Sequence, residues 1–357
     1  MTFPQQRLGE LGERALLQRI RDRIPAGDGV VVGVGDDAAA VELRGLAFVT
    51  ADSLVEGVHF RRDLSPPRLL GRKALSVNLS DVAAMGGVSR YAIVSLCLPA
   101  GLEVAWVDSL FDGLLERAAE AGVSLVGGNL ARAPETIVVD LTLLGEGSRP
   151  TLRSGARPGD VVAVTGSLGA AAEGVLLLGQ GARLDEEGDL VATGIWTDSS
   201  ADAVAACLRA QLDPRPPLAL ARAIAEHDLA RAAIDLSDGL SSDLLEMCRR
   251  SAVAARVEGR AVPVCGAMAS LEGARGGDSL ARALHGGEDY ELLLAVDPAR
   301  FEELQELSFV WGVPITGIGE FFEGDPVVIV RDDAGEHPLA PHGHDHFPSP
   351  AGDGGGA

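Results

Sequence analysis

Gly33-Val34-Gly35-Asp36-Asp37 sets two neighbouring carboxylates on a glycine turn between apolar runs at 30–34 and 46–50. Carboxylates in apolar surroundings take up protons unless a positive charge holds them ionised. The chain has one lysine, Lys73, to offer as such a partner, so a hard divalent ion suits the pattern better. The theme recurs as Thr50-Ala51-Asp52, Asn78-Leu79-Ser80-Asp81 and Ile234-Asp235-Leu236-Ser237-Asp238-Gly239. Any one of these, alone, reads as an ordinary turn or helix-cap aspartate. Together, Asp36 or Asp37, Asp52, Asp81, Asp235 and Asp238 make an oxygen-only donor set, which points to Mg²⁺ or Mn²⁺ rather than zinc. Asp235 and Asp238 are three residues apart, so both can face one ion while Ser237 caps the following helix. Gly286-Gly287-Glu288-Asp289-Tyr290-Glu291 adds a second glycine turn carrying three acids.

Short strands must deliver these acids. Runs at 30–34, 46–51 and 232–236 are expected as strands, with Asp37, Asp52 and Asp235 at their ends. Ser65-Pro66-Pro67 opens a helix that runs toward Met85 and stops at Gly86-Gly87. It carries Lys73, Asn78 and Asp81, and the eight-residue spacing puts Lys73 and Asp81 on roughly one face. One amphipathic helix is expected at 7–24 and a clearer one at 104–118. Strands are expected at 90–98, at 123–126 leading into Gly127-Gly128-Asn129, and at 136–144, whose alternation is that of a half-exposed strand. The second half repeats the mixture, with strands at 161–165, 254–258, 292–296, 314–319 and 327–331 and helices at 202–211, 217–226 and 238–250. The polar, acidic stretch 179–202 has little periodicity and is expected to be an exposed, mobile insertion. His59 beside Phe60 falls in a loop, and its chemistry alone assigns it no role.

A chain of 357 residues, 46% of them hydrophobic, has enough apolar sequence for two cores. The Gly-, Pro- and Arg-rich stretch 147–159 marks the boundary, giving domains 1–148 and 149–347, and the glycine-rich 348–357 is expected to be a disordered tail. No apolar run reaches ~18 residues, and the opening residues lack a signal-peptide core, so a soluble, cytoplasmic protein is expected. Cys97, Cys207, Cys248 and Cys265 have neither zinc-site nor disulfide-framework spacing and read as small core residues. A net charge of −22 argues against nucleic acid as a partner. It also means that any nucleotide enzyme of this charge needs bridging metal ions and local arginine to admit a polyanion. Neither a P-loop nor a complete G-x-G-x-x-G fingerprint is present.

Taken as an ensemble, several segments resemble the thiamine-monophosphate kinases. They are 33–39, Asp52 to Phe60, Lys73 to Gly86, Arg153-Ser154-Gly155-Ala156-Arg157-Pro158-Gly159-Asp160, 234–240 and 286–292, in family order across nearly the whole chain. The resemblance implies the α/β, mixed-sheet, two-domain fold of aminoimidazole ribotide synthetase and selenophosphate synthetase. In that fold the N-terminal domain dimerises through its sheet and ATP binds between the domains. It implies γ-phosphoryl transfer from ATP to thiamine monophosphate, assisted by several Mg²⁺ ions, with no protein nucleophile. Carried over by position, Asp37, Thr50, Asp52, Asp81, Asp235 and Asp238 would bind metal, with Asn129 at a further metal position. Gly128, Asn129, Arg153 and Ser237 would contact ATP, and His59, Glu288 and Phe347 the thiamine substrate. The family's usual Gly-Gly-Asp-Thr-Thr-Arg is here Gly127-Gly128-Asn129-Leu130-Ala131-Arg132, and Ala51 stands where Thr is common. Asn keeps a carbonyl ligand but loses a charge. Two other readings remain open at this stage: a superfamily enzyme with another substrate, or a nucleotide-binding homologue without turnover. The selenium enzyme is disfavoured because no cysteine lies near the N-terminus.

Overall fold

Apolar side chains at every second position of a strand leave one face to bury. In the computed structural model, which describes residues 6–272, 278–333 and 335–342, four such strands form the first sheet. These are β1 (Leu46–Val55), β2 (Val88–Pro99), β3 (Ser124–Ala133) and β4 (Val138–Gly147). Their order is β1-β4-β2-β3, antiparallel except for the parallel β2–β3 pair. Val139, Leu141 and Leu143 of β4 point into a core covered by helices α1 (Pro67–Ala84) and α2 (Val104–Ala121). Those helices approach so closely that glycine is required. A Cβ on Gly71 would lie 2.0 Å from Leu110 O, and one on Gly113 would lie 1.8 Å from Arg68 O.

The second sheet has seven strands, β5 (Val161–Thr165), β6 (Ala232–Asp235), β7 (Ala254–Glu258), β8 (Leu292–Val296), β9 (Ile315–Phe322), β10 (Val328–Asp332) and β11 (Gly335–Pro338). Its order is β6-β8-β5-β9-β7-β10-β11, with β7–β10 parallel and the other pairs among the described residues antiparallel. Both faces are covered, so β8 is buried at every position. Helices α3 (Ala170–Gly179), α4 (Ala201–Leu212), α5 (Leu218–Glu226), α6 (Leu240–Ser251) and α7 (Phe301–Trp311) belong to this half. Helices α5 and α7 pack on one face, against Ala163, Leu292 and Leu294, while α6 packs on the other, against Val162, Val164 and Leu293.

Helix α1 belongs to both halves. Ala83 and Ala84 join the core under α5, and Leu69 joins the cluster around α3 and α4. A helix surrounded on most sides has no polar stripe, which is why almost the whole of α1 is buried.

Four expectations are corrected. The first helix breaks at Gly12 (φ 82°) into Leu8–Leu11 and Glu13–Arg21. Strand β1 runs past Asp52 to Val55, so that acid sits within a strand, held there by ten paired positions with β4. Strand β3 extends through Gly128 and Asn129 because β2 continues to pair with it. Residues 179–202 are ordered in part: Ala182–Leu184 and Leu190–Thr193 pair as a hairpin whose Ala182 and Leu184 are buried beside α4. Glu186 of its turn accepts from Arg68 N and Ser109 Oγ, tying it to the first domain. A three-residue strand is too short to show periodicity. The four cysteines are unpaired, with Cys207 and Cys248 buried and Cys97 and Cys265 half-buried.

Candidate active site

Helix α1 brings Ser80 and Asp81 to where the two sheets meet. Thr50 and Asp52, two apart on β1, point to the same helix-covered side. Thr50 Oγ1 donates to Asp81 Oδ2 at 2.5 Å, and Asp52 shares a hydrogen bond with Asp81. Ser80 Oγ donates to Asp235 Oδ2 at 2.7 Å, which attaches the end of β6 to the same group. Burial, then repulsion from Asp81 and Asp235, pushes Asp52 up to about 7. Burial and the Asp81 charge push Asp235 up to about 6, against the Ser80 hydrogen bond and the Arg153 charge. Both shifts come first from burial and then from repulsion between like charges.

Three carboxylates linked through Asp81 and Ser80 form an oxygen-only donor set that fits Mg²⁺. Among the described residues, no three acidic, imidazole or thiol groups close into a ready-made metal cage. Magnesium does not require one, because it keeps several waters and takes one or two carboxylates together with substrate phosphates.

Two cavities share this acid group as a wall. The larger, about 640 Å³, is lined by Asp52, His59, Lys73, Glu288 and Tyr290, with Ser237 and Asp238 at its side. Val55 N donates to His59 Nδ1 at 3.0 Å, which leaves the proton of a neutral ring on Nε2. The smaller, about 400 Å³, is lined by Thr50, Asp81, Arg153, Ser154 and Asp235.

The loop bearing Glu288 is strained. Glu288 (φ 65°) and Tyr290 (φ 51°) occupy the left-handed region that side chains avoid. They are held there by pairing with the loop after β6: Glu288 N donates to Ser237 O at 2.8 Å and Tyr290 N to Leu236 O at 2.9 Å. Lys73 Nζ lies 2.7 Å from Glu288 Oε1. Burial alone would raise the Glu288 carboxyl, but the Lys73 charge and hydrogen bonds from Lys73 and Gln211 hold it below its ordinary value.

The structure thus unites Thr50, Asp52, Asp81 and Asp235, places Arg153 on one side of them, and places His59, Ser237, Asp238 and Glu288 on the other. It does not bring Asp37, Gly128 or Asn129 to the same point. These line a third cavity of about 410 Å³ with the N-terminal helix. The reason is topological: β3 is the edge strand at the far side of the sheet from β1. Phe347 lies outside the described residues. Ser237 does not cap α6. The Asp243 carboxylate, inside the helix, instead reaches back to the turn before it, accepting from Asp238 N at 3.2 Å and Gly239 N at 3.0 Å. Burial, then the charges of Asp238 and Asp235, pushes Asp243 up to about 8. Sequence reasoning missed Asp243 and Gln211. The first had a signal, an acid in the first turn of the helix, and the second had none.

Comparison with known proteins agrees with this architecture. The family AIR synthase related protein, N-terminal domain, matches residues 35–146, and AIR synthase related protein, C-terminal domain, matches residues 157–331. The thiamine-monophosphate kinase of Salmonella typhimurium is 34% identical over 347 residues, 95% of this chain and 99% of its own. That of Bacillus subtilis is 32% identical over 343 residues, 94% and 100% of the two chains. Among solved structures, thiamine-monophosphate kinase from Stenotrophomonas maltophilia K279a superimposes with a TM-score of 0.76 at 34% identity, covering 88% of this chain and 95% of that one. AaThiL complexed with AMPPCP and TMP gives 0.74 at 31% identity, covering 96% and 99%.

Proposed function

We propose, since this chain belongs to the thiamine-monophosphate kinase family within the AIR synthase related proteins, that it transfers the γ-phosphoryl group of ATP to thiamine monophosphate, giving thiamine diphosphate and ADP. The observation that carries the reading is the acid group of Asp52, Asp81 and Asp235 between a cavity containing Arg153 and one containing His59 and Glu288. The similar AaThiL, solved with AMPPCP and TMP, supports the choice of the two substrates.

In this reading the nucleotide lies on the Arg153 side and reaches Ser237 across the acid group, with Gly128 and Asn129 as further contacts that would have to be brought in from the third cavity, and thiamine monophosphate lies against His59, Glu288 and Phe347. Thr50, Asp52, Asp81, Asp235 and Asp238, with Asp37 and Asn129, are the proposed holders of several Mg²⁺ ions. Bound there, the metal would neutralise phosphate charge and let two polyanions approach. The chain's own residues position and orient. The attacking atom is an already ionised phosphate oxygen, so in-line transfer needs no strong protein base. Asp243, buried behind Asp238, fixes the start of α6. No helix among the described residues is long and apolar enough to cross a membrane. We further infer a cytoplasmic homodimer, with a domain boundary at 148/149. Val49, 66% exposed, and the exposed Ala51 on the uncovered side of the first sheet support its use as the dimer face.

One assay tests the function. Purified protein is incubated with ATP, Mg²⁺ and thiamine monophosphate, and thiamine diphosphate and ADP are followed. Product that requires all three components is expected. Nucleotide binding without product would indicate a non-catalytic homologue, and turnover only with another acceptor would move the substrate assignment.

A further inference from the structure

Lys73 is the sole lysine among thirty Lys and Arg residues. It is 3% exposed, in the middle of α1, and its ammonium meets Glu288 Oε1 across the junction of the two halves. An ammonium is a compact point charge and a guanidinium a wide, planar fork, so the two are not interchangeable at a site this buried. The other carboxylate oxygen, Glu288 Oε2, accepts a 2.6 Å hydrogen bond from Gln211 Nε2 on α4. That bond orients the Gln211 amide, because turning it over would set its oxygen against a carboxylate. Gln211 Oε1 is thereby left buried with no hydrogen-bond partner among the described residues, in a residue 6% exposed that lines the 640 Å³ cavity. A buried acceptor left unpaired calls for an explanation, and a ligand donor is the simplest one.

We propose that Lys73 positions Glu288 and Gln211 as an acceptor wall, and that Gln211 Oε1 takes a hydrogen bond from the exocyclic amine of an amino-substituted nitrogen heterocycle in the acceptor substrate. This rests on the function proposed above, since thiamine monophosphate carries an aminopyrimidine. The Glu288 carboxyl, held below its ordinary range, stays ionised and acceptor-only near neutral pH. Its left-handed backbone, pinned to Ser237 O, keeps it from turning away. Lys73 is in this account a positioning residue, and Gln211 a specificity residue.

The test compares thiamine monophosphate with oxythiamine monophosphate, in which a carbonyl oxygen replaces that amine. Binding is read by calorimetry and turnover by steady-state kinetics, on the full chain and on Gln211→Leu, Lys73→Arg and Lys73→Met. The native protein should bind the amine form at least ~10²-fold more tightly, as expected of a site built around a donor. Gln211→Leu should lose most of that preference through KM, with kcat within about threefold of native. Lys73→Arg should not restore what Lys73→Met loses. Equal binding of the two ligands by native protein, or an unchanged preference in Gln211→Leu, would overturn the inference. A retained binding preference without any phosphoryl transfer would overturn the kinase reading alone and leave the recognition wall standing. Gln211→Leu is close in volume, so it still reports if the Lys73 variants fail to fold.

Discussion

Asp81 is the residue through which the site is connected, since Thr50, Asp52 and, by way of Ser80, Asp235 all meet at its turn of helix. If these carboxylates hold magnesium, Asp81→Asn and Asp235→Asn should lower kcat by roughly 10²–10³-fold. Each should also raise the Mg²⁺ concentration for half-maximal rate by about 10–100-fold. Native Mg²⁺ dependence in both variants would remove the acid group from the metal site. Asn129 tests the reach of the site. Restoring the family's acid with Asn129→Asp should tighten Mg²⁺ dependence if the third cavity joins the acid group when substrates bind. An unchanged dependence would show that Asp37 and Asn129 stay apart from it, as they do here.

Among the elements, α1 carries the most, since it packs on the first sheet and supplies Lys73, Ser80 and Asp81 to the junction. Its fit against α2 depends on Gly113, so Gly113→Ala, which sets a methyl 1.8 Å from Arg68 O, should cost about 2–3 kcal/mol or more. Urea midpoints would show it, and a native midpoint would mean that the helices can part freely. Gly169 immediately precedes helix α3, and its N–H donates to Asp289 at 2.9 and 3.1 Å. Burial pushes the Asp289 carboxyl up to about 8, opposed by those backbone hydrogen bonds. Its unfolded value is about 3.9, so folding takes up a proton between the two values. The associated stability is complete below about pH 4 and is lost as pH rises through about 8. Asp289→Asn should flatten the fall in thermal midpoint between roughly pH 6 and 8, and a parallel fall in the variant would exclude Asp289 as its source.

For the whole molecule, the net charge of −22 opposes every anionic substrate it is proposed to bind. Moderate salt, at constant free Mg²⁺, should therefore raise kcat/KM a few-fold by screening that repulsion. A steep fall instead would show that local positive potential at Arg153 dominates. Dimerisation through the uncovered face of the first sheet predicts sedimentation at twice the chain mass. Val49→Glu should shift it toward a single chain, and a native mass for that variant would move the interface elsewhere.

The sequence by itself determined the kind of chemistry and most of the elements, because both are local. Oxygen-only ligands are a matter of residue type, the 138–147 strand and the helix at 104–121 show in the spacing of apolar residues, and the helix at 67–84 shows in the Ser-Pro-Pro and Gly-Gly that bound it. Only the tertiary structure decided which acids meet. The Ser80–Asp235 bond joins residues 155 apart in the chain, and Gln211–Glu288 joins residues 77 apart. Such contacts follow from strand order and helix crossing rather than from any motif. That is why Asp52, Asp81 and Asp235 converge, Asp37 and Asn129 lie across the sheet from them, and the unpaired oxygen of Gln211 could not be read from residue spacing.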